Sequence, residues 1–146
     1  MNRPYTSPCY CTNMRRCANS VSELYDNALR PASITVAQFY ILINISRLAP
    51  VDTSRLSSHV GLDRSTLVRN LRLLQNNNWV TDFSTEKKHQ FGLTETGQQV
   101  LERARPLWKN AQEKFTNYMG PEDAEMLLQL LQKAQNIKYE GETNEK

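Results

Sequence analysis

The sequence predicts a mainly α chain with a small β-wing. Three observations carry that expectation. Apolar residues recur at alternating spacings of three and four over most of the chain, the period of one helix face. Between Trp79 and Leu93 that period gives way to two short runs of strand composition around a polar turn. Gly61 and Asp63, two residues apart, combine a helix stop with a helix start.

The elements follow in order. Met1 to Pro8 hold two prolines and little periodicity, and read as an extended arm. A first helix is expected to begin between about Tyr10 and Thr12 and to run to Leu29, with Met14, Ala18, Val21, Tyr25 and Ala28 along one side. Pro31 ends it, because the residue before a proline is pushed out of the α region. Thr35 is placed to cap a second helix, Val36 to Leu48, which is apolar nearly all round and therefore reads as buried. A short helix from Thr53 to Val60 is capped by Asp52 or Thr53, and Gly61 ends it. Asp63 caps the next helix, Arg64 to about Gln75. Trp79–Phe83 and His89–Leu93 read as strands. Thr94 then caps a long helix to Tyr118 or Met119, continuous through a kink at Pro106. Gly120-Pro121 breaks the chain, and a last helix runs from Glu122 to about Ile137. The polar tail 140–146 is expected to be disordered.

The helix that begins at Arg64 divides cleanly. Leu67, Leu71 and Leu74 fall on one side at i, i+4, i+7; Ser65, Arg69 and Arg72 fall on the other at the same spacing. One face is core. The other carries two guanidiniums and a hydroxyl, which is what a helix needs to reach base edges and phosphates in a major groove. The turn Ser84-Thr85-Glu86-Lys87-Lys88 carries two cations at its tip. Alone it reads as a solvated turn; directly after a cationic helix it reads as a DNA-contacting wing. The order over 52–94 is that of a winged helix-turn-helix.

The run from Leu56 to Leu71, LSSHVGLDRSTLVRNL, resembles the helix-turn-helix of the MarR family of bacterial and archaeal regulators. Leu93-Thr94-Glu95-Thr96-Gly97 resembles the family's junction between wing and first dimerisation helix. Leu29-Arg30-Pro31-Ala32, Val36-Ala37-Gln38-Phe39 and Ala104-Arg105-Pro106-Leu107-Trp108 with Ala111-Gln112 are similar to it as well, so the likeness runs from Cys9 to Ile137. One departure stands out: where the family's wing carries Asp-x-Arg, this chain has Thr85-Glu86-Lys87. The resemblance implies a single domain, with residues 9–30 and 94–138 as dimerisation helices and 35–94 as the DNA-binding lobe. Two accounts of the apolar terminal helices stay open, an intramolecular bundle and the family's two-fold dimer. The resemblance also implies a small aromatic effector between dimer helices and DNA-binding lobe, where Tyr25, Phe39, Tyr40 and Trp108 are the candidate lining. Each of these aromatics has core packing as its plain alternative.

Whole-chain properties narrow the function. At 146 residues, with 39% hydrophobic and 23% charged content, the chain suits one soluble domain. A net charge of +3 is too mild to argue for nucleic acid by itself; the clustering of the cations does. No apolar run approaches the ~18–20 residues of a membrane span. The chain has two His, neither with a metal-ligand partner at helical spacing, and no GxGxxG, Walker or GxSxG motif, so no enzyme and no cofactor are expected. An odd count of three Cys, with no export signal, makes a reducing cytoplasm the default. Cys9 and Cys11 form a CxC with Arg15 and Arg16 about a turn away, and a cation near a thiol favours the thiolate. They are candidate redox sensors, which the resemblance allows; with Cys17 they are also a candidate soft-metal site. Burial as small hydrophobes is the plain alternative, and Cys17 is expected to be only that.

The resulting expectation is a cytoplasmic, homodimeric repressor binding a pseudo-palindromic duplex and released by a small molecule or an oxidant. Arg64, Ser65, Thr66, Arg69 and Arg72 would touch bases and phosphates, with Lys87 and Lys88 on the wing. The alternative is a winged-helix module for protein interaction or Cys-based metal binding.

Overall fold

A computed structural model describes residues 7–137. The end of the expected dimerisation segment at residue 138, the tail 140–146 and most of the N-terminal arm lie outside that range. The described chain forms two compact units, which divide within the long helix between Ala111 and Gln112.

The first unit contains α1 (Tyr10–Leu29), a 3-10 turn (Arg30–Ala32), α2 (Val36–Leu48), α3 (Thr53–Val60), α4 (Arg64–Asn76), β1 (Val80–Asp82), β2 (Phe91–Leu93) and most of α5 (Glu95–Met119). Local chemistry sets the boundaries. Pro31 sits inside the 3-10 turn that ends α1. Thr35 makes a capping box: its side chain accepts from Gln38 N–H, and the Gln38 side chain accepts from Thr35 N–H. Asp26 accepts from Val36 N–H at 2.7 Å and so ties α1 to the start of α2. The core gathers Leu29, Phe39, Ile41, Leu42 and Ile45 with Leu56, Leu67, Leu74, Val80, Phe91, Val100 and Leu101, so α2 runs through the middle of it.

The strands are shorter than the sequence suggests. β1 and β2 pair antiparallel over three residues each, with Val80 opposite Leu93 and Asp82 opposite Phe91. Trp79 is drawn out of the sheet because its N–H donates to Leu74 O, at the end of α4. Phe83 N–H still donates to Gln90 O at 2.7 Å, but beyond it the hairpin narrows straight to its turn. Val51 adds an isolated bridge to Phe91, which anchors the wing's base to the α2–α3 junction.

α1 keeps little of its length against the core. Its expected apolar side is mostly uncovered: only Tyr25 and Leu29 are buried, while Met14 is 49% exposed and Cys17 is exposed as well. Cys17 is therefore not the buried small hydrophobe its position on the stripe suggested. The stripe is real, but the chain's own core reaches only the last turns of the helix.

The second unit, Gln112–Lys146, holds the end of α5 and α6 (Pro121–Gln135). Pro121 opens α6, one residue earlier than expected, at a position where its missing N–H is no loss. None of the residues of α6 is buried, and Met126, Leu128 and Leu130 are all more than half exposed.

Candidate nucleic-acid interface

The turn between α3 and α4 is built from capping interactions. Asp52 accepts from Arg55 N–H at 2.7 Å and opens α3. Gly61 closes it at φ +73°, a left-handed conformation in which a side chain would be strained. Ser57 Oγ donates to Leu62 O at 3.2 Å and pins the turn to the helix it leaves.

Asp63 then opens α4 with three bonds: it accepts from Thr66 N–H at 2.7 Å, from Ser65 Oγ at 2.8 Å and from Thr66 Oγ1 at 2.9 Å. The Thr66 amide above all, then the two hydroxyls, hold the Asp63 carboxyl below its ordinary pKa. With their protons on Asp63, both hydroxyls offer lone pairs outward. Leu67, Leu71 and Leu74 are buried, which fixes the helix's rotation. Arg64, Ser65, Arg69 and Arg72 are exposed and Thr66 half-buried.

The wing carries Lys87 and Lys88 at a tight tip, where Thr85 N–H donates to Lys88 O at 2.9 Å. Both lysines are exposed, so the structure brings the cations of α4 and wing together on one unit. Below the tip lies a cluster that sequence reasoning missed. Ser84 N–H and Oγ both donate to Asp82, and His89 Nδ1 lies 2.8 Å from Ser84 Oγ. Asp82 is thus held at the base of the wing, while Glu86 lies in the turn beside Lys87. Strand pairing across the turn was the only available signal.

Behind the wing, Thr94 caps α5 by accepting from Gly97 N–H at 2.9 Å, and its hydroxyl donates to Asn78 O. A Cβ at Gly97 would stand 1.9 Å from Trp79 O, so this glycine is a close-approach position between α5 and the segment entering the wing.

Comparison with known proteins settles the family. The transcriptional regulator MosR of M. tuberculosis is 32% identical over 90% of this chain and 98% of its own, with a TM-score of 0.77. The chain belongs to the MarR family of transcriptional regulators. An uncharacterised helix-turn-helix regulator of Bacillus cereus is 27% identical over 119 residues, 81% of each chain. A MarR variant from E. coli, solved with operator DNA, shares the fold at 23% identity and a TM-score of 0.74, covering 84% of this chain and 91% of its own. No family model matches the chain. The family is one of DNA-binding transcriptional regulators. Among the described residues no single helix is long and apolar enough to cross a membrane.

In this MarR-family chain the candidate effector residues do meet. Phe39 stacks on Trp108, with ring centroids 5.8 Å apart and planes at 22°, and meets Tyr40 edge-on at 6.1 Å. Burial, and then the charge of Tyr40, push the Tyr25 phenol above its ordinary pKa. Phe39 is only 1% exposed and serves the core. Trp108 Nε1–H is buried and has no hydrogen-bond partner.

The three cysteines are free and exposed. Cys9 occupies the N-cap of α1, and its thiol is held below its ordinary pKa. The main cause is the Thr12 hydroxyl, followed by the Thr12 amide, rather than the arginines the sequence suggested. Among the described residues no group of three His, Cys, Asp or Glu is placed to hold a metal ion.

Proposed function

We propose that this regulator is a cytoplasmic homodimeric repressor whose α4 enters the major groove of a pseudo-palindromic operator. Arg64, Ser65, Thr66, Arg69 and Arg72 contact bases and phosphates, and Lys87 and Lys88 hold the sugar-phosphate backbone from the wing. One observation carries the reading: the outward face of α4 exposes Ser65, Arg69 and Arg72 directly opposite three buried leucines. A protein-binding winged helix would show apolar or acidic groups there. The dimer is supported by the uncovered apolar side chains of α1, the end of α5 and α6, including Met14, Tyr118, Leu128 and Leu130. A two-fold pair of such heads presents recognition helices to major grooves ~34–36 Å apart.

Two triggers for release have support. The unpartnered Trp108 Nε1–H beside Phe39, Tyr40 and Tyr25 suits a small aromatic effector with an acceptor oxygen. The lowered pKa of Cys9 suits oxidation. There, a peroxide takes the thiolate to a sulfenic acid with loss of hydroxide, and a second thiol, Cys11 or one from the other subunit, then displaces water to give a disulfide.

The test is selection of bound sequences from a random duplex pool, followed by Arg69→Ala. That substitution is expected to lose ~1–3 kcal/mol on the selected site and to relax preference at one base pair per half-site. Unchanged specific binding by a folded Arg69→Ala protein overturns the docking.

A further inference from the structure

We infer that Val68 reads the 5-methyl group of a thymine in the operator. The inference rests on the docking of α4 proposed above and adds a specificity-determining residue to it.

With Leu67 and Leu71 turned inward at 0% and 2% exposure, Val68 is left 38% exposed. It adjoins Arg69 and lies three residues after Ser65 and four before Arg72, on the margin of the cationic face. In the first two turns of α4 it is the one exposed apolar side chain. Its neighbours are polar and already specialised: guanidiniums only donate, and the Ser65 hydroxyl has given its proton to Asp63. The edges of the base pairs in the major groove are donors and acceptors, with a single apolar exception, the thymine methyl. An isopropyl group on a groove-facing helix therefore has one chemically matched partner there.

Val68 is not part of the buried core cluster. A β-branched residue is a poorer helix former than alanine, and the core does not cover it. What β-branching does supply is a nearly fixed χ1 in a helix, so the methyls are held in place before DNA arrives. Leu73 is more exposed, at 48%, but lies late in α4, and base contacts come from the N-terminal part of a recognition helix.

The experiment takes the duplex selected by the wild-type protein and replaces each thymine in turn with uracil. Uracil keeps the pairing and the O4 acceptor and lacks only the methyl. Binding is measured for the wild type and for Val68→Ala. At one symmetry-related pair of positions, uracil is expected to weaken the wild type about fourfold for one methyl and about fifteenfold when both half-sites are changed. Val68→Ala is expected to bind both duplexes alike, at the weaker level. Alanine suits the helix, and circular dichroism checks that the variant is folded. Val68→Thr, which keeps the branched shape and one methyl, is expected to retain part of the discrimination. A wild type that selects a sequence yet tolerates uracil everywhere overturns the inference, as does a uracil effect undiminished in Val68→Ala. A wild type with no sequence preference at all overturns the docking itself, and the inference with it.

Discussion

Gly97→Ala sets two physical effects against each other. In an ordinary helix interior alanine is favoured over glycine by about 1 kcal/mol, because glycine loses more backbone entropy on folding. At Gly97 the new methyl would stand 1.9 Å from Trp79 O, 2.8 Å from Trp79 C and 3.0 Å from its Cα. These are backbone atoms, so no rotamer change relieves the clash; α5 and the Trp79 segment must separate by more than about 1 Å to reach ordinary contact distance. That separation strains the Thr94 N–H bond to Trp79 O, now 3.1 Å, and the Thr94 hydroxyl's bond to Asn78 O. Overpacking of this kind costs about 1–3 kcal/mol, and each weakened hydrogen bond about 0.5–1.5 kcal/mol. Less the propensity gain, the net expectation is about 1–5 kcal/mol of destabilisation. Urea unfolding followed by circular dichroism measures it as a lower midpoint at unchanged slope. Gly61→Ala is the control: nothing lies within 4 Å of its Cβ site, so its cost is the left-handed backbone alone, roughly 1–2 kcal/mol. A Gly97→Ala protein as stable as the wild type, or more so, would refute the close-approach argument.

Further expectations concern the wing, the assembly and the cysteines. Lys87→Ala or Lys88→Ala should weaken binding to all duplexes alike and lower the salt slope by about 1 per half-site, measured by titration at several ionic strengths; a loss confined to one base position would assign base reading to the wing. Leu130→Glu with Leu131→Glu should turn a dimer into a folded monomer by sedimentation, since covering each leucine contributes about 1.5–3 kcal/mol; an unchanged dimer would move the interface elsewhere. Mild peroxide should release DNA, and dithiothreitol should restore it. Cys9→Ser should blunt that response and Cys17→Ser should not. Because the Cys9 pKa is lowered, its reaction should persist at pH values below those at which an ordinary thiol becomes unreactive, as followed by thiol labelling. Full peroxide response in Cys9→Ser and Cys11→Ser alike would leave the small-molecule effector as the trigger.

The helices were legible because their ends are written in single residues. Thr35, Asp52, Asp63 and Gly61 act on their immediate neighbours, and the structure finds each in that role. The cationic face of α4 was legible for the same reason: the regular helix from Ser65 to Arg72 decides it. What depends on distant partners was not. Val51 is one β-branched residue between Pro50 and Asp52, with no period to mark it as a bridge to Phe91. Nothing in Gly97 alone says that the Trp79 carbonyl lies against it. The exposure of Cys17 was missed because apolar spacing shows that a helix has a side to cover, not which surface covers it. The four aromatics singled out in the sequence lie near one another, yet the sequence could not separate Phe39, which closes the core, from Trp108, whose indole N–H is buried without a partner.

The two parts of the proposed interface are held by different means, and that difference bears on what each can read. α4 is fixed in rotation by Leu67, Leu71 and Leu74 and at its start by the three bonds to Asp63. Discrimination between bases needs donors and acceptors placed within a few tenths of an ångström, and a helix seated on the core can supply that. The wing is fixed at its base, by the Val51–Phe91 bridge and the pairing of β1 with β2. It is steadied part-way by Asp82, Ser84 and His89, but every residue from Asp82 to His89 is exposed. A lysine there is a point charge on a flexible stem, able to follow a phosphate but poorly suited to a bidentate contact. Where the family's wing carries Asp-x-Arg, this chain has Thr85-Glu86-Lys87, and its Asp82, below the tip, is bonded to Ser84 instead. Sequence preference should therefore reside in α4, and the wing should contribute affinity that salt removes.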